Sequence, residues 1–348
     1  MRIAFFVNGL HSEFPRYTTT LLAMKARERG HDVCYVTPDD FILRPDDGMS
    51  IRALVPKKKK MKDGEEWIAA IQAEDATVKT MDITDVDVLM LRNDPSLDAV
   101  ERPWAAQAGV VFGQFAKEKG VIVLNDPDGL SQAQNKLYFQ RFPVDVRTGT
   151  LISKNAEEIR SFIAKQKTKV IVKPLQGSGG KNVFMVKSGK DENFNQIIEA
   201  LSKEGYIIAQ TYLPEAKQGD IRLFVMNGRP LERDGKFAAV RRVPSGDDIR
   251  SNMHAKGAAE KVNVTDDNLR VAELVRPKLV QDGMFLVGLD IVGDKILEIN
   301  VFSPGALASA TDMQGADFAE SIIEAIETKV EIRNASLRPF DNRALATF

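Results

Sequence analysis

Short apolar runs alternate with stretches of helical spacing through the first third of the chain. Residues 3–7 (Ile-Ala-Phe-Phe-Val) form one such run. Residues 18–29 then take helical spacing, with Thr18, Thr19 and Thr20 as N-cap candidates and Gly30 as the stop. Residues 33–36 are β-branched and aromatic and read as a second strand, and residues 86–91 read as a third. Trp104, Ala108, Val111, Phe112 and Phe115 fall at the spacing of one helix face, Gly120 ends that helix, and residues 121–124 follow as a buried strand. Strands alternating with helices imply a parallel sheet covered by helices. The pattern predicts a βαβ domain over residues 1–125.

After residue 125 the texture changes to antiparallel signals. Residues 170–172 and 183–186 read as strands separated by a Gly-rich turn, and residues 207–210 as another strand. Residues 222–226 run into Asn227-Gly228, a strong hairpin turn, and residues 287–301 hold a further hairpin. The division that follows is 1–125, then 126–205, then 206–330. Residues 334–348 lack periodicity, so 331–348 reads as a tail or surface arm.

Composition narrows the class. The chain has 348 residues, with 48 Lys plus Arg against 49 Asp plus Glu, and this near-neutral balance argues against a dedicated nucleic-acid binder. Residues 56–64 (Pro-Lys-Lys-Lys-Lys-Met-Lys-Asp-Gly) are the strongest charge run, and a solvated loop is the expected reading. No apolar run reaches the roughly 18 to 20 residues of a bilayer span. The N-terminal apolar run breaks at Asn8-Gly9, too short for a secretory segment. A single cysteine, Cys34, excludes an intramolecular disulfide and a cysteine-based zinc site, so a reducing, cytoplasmic setting is expected.

Two segments carry chemistry. The first is Lys173-Pro174-Leu175-Gln176-Gly177-Ser178-Gly179-Gly180-Lys181. Three glycines in four positions let backbone N–H groups converge on an anion. A Walker A loop fails, because Leu175 and Asn182 stand where Gly and Ser or Thr are required. A dinucleotide fingerprint fails as well, because a strand follows the glycines where a helix is needed. What remains is a glycine loop between two antiparallel strands, led by a lysine that closes an apolar strand and so calls for an anionic partner.

The second is the hairpin over residues 287–301. A three-residue loop at Gly293, Asp294 and Lys295 pairs Val292 with Ile296 and Asp290 with Glu298. It leaves one face apolar throughout, with Val287, Leu289, Ile291, Leu297, Ile299 and Val301. A two-residue loop mixes charge into both faces, so the three-residue register is expected. Asp290 and Glu298 then lie opposite each other with Asn300 two residues along, an oxygen-rich cluster suited to Mg²⁺ bridging phosphate oxygens.

Between these segments lie Arg222, Arg241, Arg242 and Arg250, whose guanidinium forks suit carboxylates and phosphates. The three histidines, His11, His31 and His254, show no metal spacing. No serine nucleophile is visible, and Cys34 reads as a small core residue.

The assembled pattern resembles the ATP-grasp ligases and, among them, the bacterial glutathione synthetases. The segments that carry the likeness are Leu91-Arg92-Asn93-Asp94-Pro95, Asn135-Lys136-Leu137, Val172-Lys173-Pro174-Leu175 with the glycine loop, and Gln210-Thr211-Tyr212-Leu213-Pro214. They continue with Gly219-Asp220-Ile221-Arg222, residues 242–252, Val287-Gly288-Leu289-Asp290-Ile291 and Glu298-Ile299-Asn300-Val301. After these the chain keeps the family's Ser-Pro at Ser303-Pro304 and departs from it beyond.

The resemblance implies a Rossmann-like, pre-ATP-grasp parallel-sheet domain (α/β) followed by an ATP-grasp fold of two α+β subdomains, a lid and a metal-hairpin unit. It implies that Lys136 and Lys173 hold the ATP phosphates, and that Gly177, Ser178, Gly179 and Gly180 close over them. Gln210, Thr211, Tyr212 and Leu213 would line the adenine pocket. Asp290, Glu298 and Asn300 would bind Mg²⁺ or Mn²⁺, with Arg222, Arg250 and Asn252 at the acyl phosphate and peptide substrate.

The implied reaction joins γ-glutamylcysteine to glycine through an acyl phosphate with release of ADP and phosphate. The partners are small peptide and amino-acid substrates, with no nucleic acid or membrane, in a homo-oligomer, a dimer or tetramer. Phosphoryl transfer of this kind relies on positioning and charge neutralisation, which agrees with the lack of a nucleophilic side chain. Two other readings stand beside it: a ligase of the same fold acting on another peptide or protein, and a non-catalytic nucleotide-binding regulator.

Overall fold

Four parallel strands form the middle of the first sheet, in the order Asp32–Val36, Arg2–Phe6, Val88–Leu91 and Ile122–Leu124. The computed structural model describes residues 1–57, 61–176, 182–244, 258–337 and 340–348. Helices Thr18–Glu28 and Pro103–Glu118 complete the expected βαβ alternation. The sheet also has an antiparallel extension that the sequence pattern did not announce: Phe41–Leu43, Met49–Val55 and Thr77–Asp82. The last of these is Thr-Val-Lys-Thr-Met-Asp, with no residue fully buried, so no apolar run betrays it. Of the basic run, Lys57 pairs with Asp75 at 2.5 Å on the surface, and residues 58–60 lie outside the described residues.

Helix Pro103–Glu118 buries a different face from the one its large residues mark. Ala105, Ala106, Ala108, Gly109, Val110, Gly113 and Ala116 are buried, while Trp104, Val111 and Phe115 are exposed. Close approach is the reason: a Cβ at Gly109 would sit 2.6 Å from the Phe6 ring. Only small residues let this helix pack so near the sheet.

The second sheet has four antiparallel strands in the order Phe184–Val186, Val170–Pro174, Ile207–Thr211 and Thr150–Ser153. Helices Ala156–Ala164 and Phe194–Ser202 bury Ile159, Ile163, Phe194, Ile198 and Leu201 against it. The expected strand, loop, strand over residues 170–186 is present, though the loop residues 177–181 lie outside the described residues.

The third sheet is antiparallel, in the order Ala258–Glu260, Ala239–Val243, Asp220–Met226, Leu286–Val292 and Lys295–Asn300. Asn227 and Gly228, with φ of 53° and 73°, make the turn predicted after residue 226. The Leu286–Val292 and Lys295–Asn300 hairpin corrects the expected loop. Val292 pairs with Lys295, so the turn has two residues, Gly293 and Asp294. The register shifts between Asp290 and Ile291, so Asp290 still faces Glu298, with Leu297 as the extra residue of a β-bulge. A bulge resets the alternation that a regular two-residue hairpin would have violated, and it moves Leu297 off the face where strict alternation placed it.

The C-terminal segment is packed rather than loose. Helix Phe318–Ala335 extends into it, and a short helix Asn342–Ala346 follows. The buried Asn342 side chain accepts from Val123 N at 2.8 Å, donates to Val123 O at 2.9 Å and donates to Asp126 Oδ2 at 2.8 Å. It thereby caps the edge strand Ile122–Leu124. Buried Lys329 donates to the Phe348 carbonyl at 3.1 Å and to Asn227 Oδ1 at 3.0 Å.

Candidate active site

One cavity lies where the three sheets meet, lined by Asp94, Lys136, Lys173, Gln210, Glu298 and Asn300 among others. The second and third sheets supply strand residues, and the first domain supplies Asp94 from the helix start after strand Val88–Leu91. Strand Val170–Pro174 carries Lys173, and strand Ile207–Thr211 carries Gln210, whose Oε1 accepts from Lys173 Nζ at 2.9 Å. The Lys136 backbone N–H donates to Leu175 O at 3.2 Å, which brings the two lysines to the same wall. Strand Lys295–Asn300 carries Glu298 and Asn300, and the bulge residue Leu297 also reaches the cavity.

The lysines are charged at a cost. Burial lowers the pKa of Lys173 to about 8, with the nearby Lys136 adding to the shift and Glu298 opposing it. Burial likewise lowers that of Lys136, against the opposing charges of Glu298 and Asp94. Two half-buried ammonium groups on one wall, with Glu298 and Asp94 as the carboxylates near them, present positive charge to a polyphosphate.

Behind the cavity lies a buried ionic knot. Arg222 stands opposite Asp290 across neighbouring strands, and its Nη2 donates to Asp290 Oδ2 at 2.9 Å while its Nε donates to Oδ1. Arg222 Nη1 donates to the Gly305 carbonyl at 3.2 Å. Arg242 lies 2.7 Å from the same Asp290 Oδ2 and donates through Nε to Asp220 Oδ2 at 2.9 Å. Burial by itself would raise the Asp290 carboxyl, but the two guanidiniums outweigh it and hold the group below its ordinary range.

The metal-donor expectation is narrowed by this knot. Asp290 already receives two arginines and the Asn300 amide, the latter at 3.1 Å. Glu298 makes no hydrogen bond or ion pair to any described residue, and the Asn300 amide oxygen has no donor among them. Those two oxygens, facing a cavity with cationic walls, fit a divalent ion that also takes phosphate oxygens. The described residues hold no group of three or more His, Cys, Asp or Glu suited to a metal.

Other expected site residues separate. Gln210 is on the cavity wall. Thr211 hydrogen-bonds Gln166 Oε1 at 2.9 Å, and the Tyr212 N–H donates to Lys169 O at 2.9 Å; neither these two nor Leu213 lines the cavity. Gly177, Ser178, Gly179, Gly180, Arg250 and Asn252 lie outside the described residues. The structure adds Asp94 and Leu297 to the cavity wall and joins Asp220 to Arg242 behind it. Asp94 sits at a signal that was available, an Asp-Pro helix start, where its carboxylate accepts from Ser96 N at 2.9 Å.

A helix-covered parallel-sheet domain, a glycine-loop sheet and a carboxylate hairpin closing on one lysine-lined cavity define an ATP-grasp ligase. Solved structures share this fold: the D-cycloserine synthetase DcsG has a TM-score of 0.61 at 14% identity, covering 93% of this chain and 99% of that one. The ATP-grasp ligase PsnB, complexed with minimal precursor, Mg and ADP, has a TM-score of 0.58 at 16% identity, covering 95% and 98%.

Residues 1–131 match the model of the prokaryotic glutathione synthetase N-terminal domain, and residues 135–315 match that of its ATP-grasp domain. The glutathione synthetase of Synechococcus elongatus is 30% identical over 334 residues, covering 95% of this chain and 99% of that protein. That of Escherichia coli K12 is 31% identical over 312 residues, covering 89% and 92%. The chain belongs to the prokaryotic glutathione synthetase family, whose members are ATP-dependent, ADP-forming ligases.

Proposed function

We propose that the chain joins γ-glutamylcysteine to glycine, using ATP to activate the cysteinyl carboxylate. The observation that carries this reading is the placement of Lys136 and Lys173 opposite Glu298 in the cavity where the three sheets meet. The cationic wall receives the phosphates. The peptide carboxylate attacks the γ-phosphorus in line, ADP leaves, and an acyl phosphate forms. The amine of glycine then adds to the acyl carbon, phosphate departs, and the amine proton goes to solvent or phosphate. Positioning and charge neutralisation drive both steps, so no nucleophilic side chain is needed.

Glu298 and the Asn300 amide oxygen would hold Mg²⁺ or Mn²⁺, with Asp290 supporting Asn300 from behind. When bound, the metal would neutralise charge on the phosphate oxygens. Arg222, held by Asp290 and Gly305, would face the acyl phosphate. We assign residues 1–125 to substrate capture, 126–205 to the lid and 206–330 to the metal hairpin.

The single buried Cys34 supports a reducing cytoplasm, and no helix among the described residues is long and apolar enough to cross a membrane. The exposed stripe of Trp104, Val111 and Phe115 supports a homo-oligomer. Isotope transfer tests the chemistry. With ¹⁸O in the cysteinyl carboxylate, one labelled oxygen is expected in the released phosphate; unlabelled phosphate would exclude the acyl phosphate route.

A further inference from the structure

A second polar cluster lies beside the cavity, in the N-terminal domain, and the mechanism above does not use it. Glu13 is 5% exposed, and its Oε2 is buried without a hydrogen-bond partner among the described residues. Arg92 is 4% exposed and comes from the end of strand Val88–Leu91; the two attract across space yet form no ion pair. Thr18, 2% exposed, opens helix Thr18–Glu28, and its Oγ1 is also buried without a partner among the described residues. Thr19 of the same first turn accepts weakly from Arg92 Nε at 3.4 Å, so the guanidinium sits at the helix start. That start has no side-chain cap.

Burying a carboxylate oxygen without a partner is costly, and the unpartnered Thr18 hydroxyl adds a smaller cost. Burial pushes the Glu13 carboxyl up to about 7 despite the opposing charge of Arg92. A fold that merely needed a core here would hold apolar residues. A carboxylate, a guanidinium and an uncapped helix start, close but not joined, match the two charges of an α-amino acid.

We propose that Glu13, Arg92 and Thr18 form the receptor for an α-amino-acid head group, Glu13 taking the ammonium and Arg92 with Thr18 taking the carboxylate. This deepens the ligase reading and rests on it: the head group is the glutamyl end of the dipeptide. Two arguments select that end over glycine. An ammonium held in an ion pair with Glu13 keeps its proton and cannot attack an acyl phosphate. Arg92 Nη2 also donates to Pro304 O at 3.1 Å, and Arg222 Nη1 donates to the next carbonyl, Gly305 O, at 3.2 Å. The two guanidiniums thus hold successive carbonyls of one loop, which keeps them near each other, as the two carboxylates of a short dipeptide require.

The test compares three dipeptides: γ-glutamylcysteine, glutaryl-cysteine lacking the α-ammonium, and 4-aminobutanoyl-cysteine lacking the α-carboxylate. In the wild type, kcat/KM is expected to fall on the order of 100-fold or more for each analogue. Glu13→Gln should erase the discrimination against glutaryl-cysteine alone, and Arg92→Met the discrimination against 4-aminobutanoyl-cysteine alone. KM for ATP and glycine should stay within about twofold. Glu13→Gln removes a buried charge without changing shape, so it keeps the fold, and Arg92→Lys gives a charge-retaining second variant.

Equal losses on all three dipeptides, a raised KM for glycine, or a wild type indifferent to the head group would overturn the receptor while leaving the ligase intact. ADP release with other carboxylates but none of these dipeptides would overturn the ligase reading and the receptor together.

Discussion

Arg222 and Asp290 face each other across strands Asp220–Met226 and Leu286–Val292, and the Asp290 carboxylate takes both the Nε and the Nη2 of the arginine. Both side chains are almost fully buried. Charges so desolvated are tolerated only as a set, and Asp220 and Arg242 complete that set. Arg222, the arginine proposed to face the acyl phosphate, therefore has a fixed direction before substrate arrives.

Breaking the set from one side should damage the fold. Arg222→Met is expected to lower stability by about 3 kcal/mol, because Asp290 keeps only one of its two cationic partners, Arg242. The double variant Arg222→Met with Asp290→Leu should recover most of that loss, since Arg242 still has Asp220, yet it should release no ADP. Urea denaturation of both variants, with ADP assays beside it, checks this; full stability in the single variant would show that the pair is not desolvated.

Glu298 presents the opposite case. It makes no hydrogen bond or ion pair to a described residue, so Glu298→Gln should change stability by less than about 0.5 kcal/mol. ADP release should drop by on the order of 100-fold or more, because phosphate charge loses its counter-donor. A variant that kept wild-type turnover would remove Glu298 from the site.

Nucleotide affinity should depend on pH through Lys173. Its folded-state value is depressed to about 8, so the ammonium is present below that pH and lost as pH rises through it. Calorimetry should show ADP binding weakening between pH 7 and about 9, and Lys173→Arg should flatten the dependence because a guanidinium stays charged. The linkage also has a sign for stability. Between about 8 and 10.5 the unfolded lysine binds more proton than the folded one, so Lys173 makes stability rise with pH there. Flat ADP affinity across this range would contradict the assignment.

Asn342→Ala should cost about 2 to 4 kcal/mol. It removes three buried hydrogen bonds and leaves the Val123 N–H and C=O at the sheet edge without partners. Since Asn342 is far in sequence from the cavity residues, KM for ATP should hold in the folded fraction. A thermal midpoint equal to wild type would return the segment to the status of a surface arm.

Much of this architecture was legible beforehand because it depends on local patterning. The apolar runs marked the parallel core of the first sheet, and alternation alone placed Asp290 opposite Glu298. Features settled by three-dimensional packing were not legible. The bulge at Leu297 replaced the expected three-residue loop without moving Asp290 or Glu298, because a bulge and a longer loop shift register by the same one residue. Helix Pro103–Glu118 hid its contact face because alanine and glycine carry little hydrophobic signal. The C-terminal segment docks through one polar side chain, which no periodicity reports. At the site, the sequence named Asp290 as a metal donor but gave no sign of the two arginines, drawn from two further strands, that contact it.

The most direct measurement of the central claim is product stoichiometry from purified enzyme with ATP, Mg²⁺, γ-glutamylcysteine and glycine. ADP, phosphate and glutathione are predicted in equal amounts, with ADP release negligible when the dipeptide is omitted. ADP release without the tripeptide, or no ADP release with this substrate pair, would contradict the account.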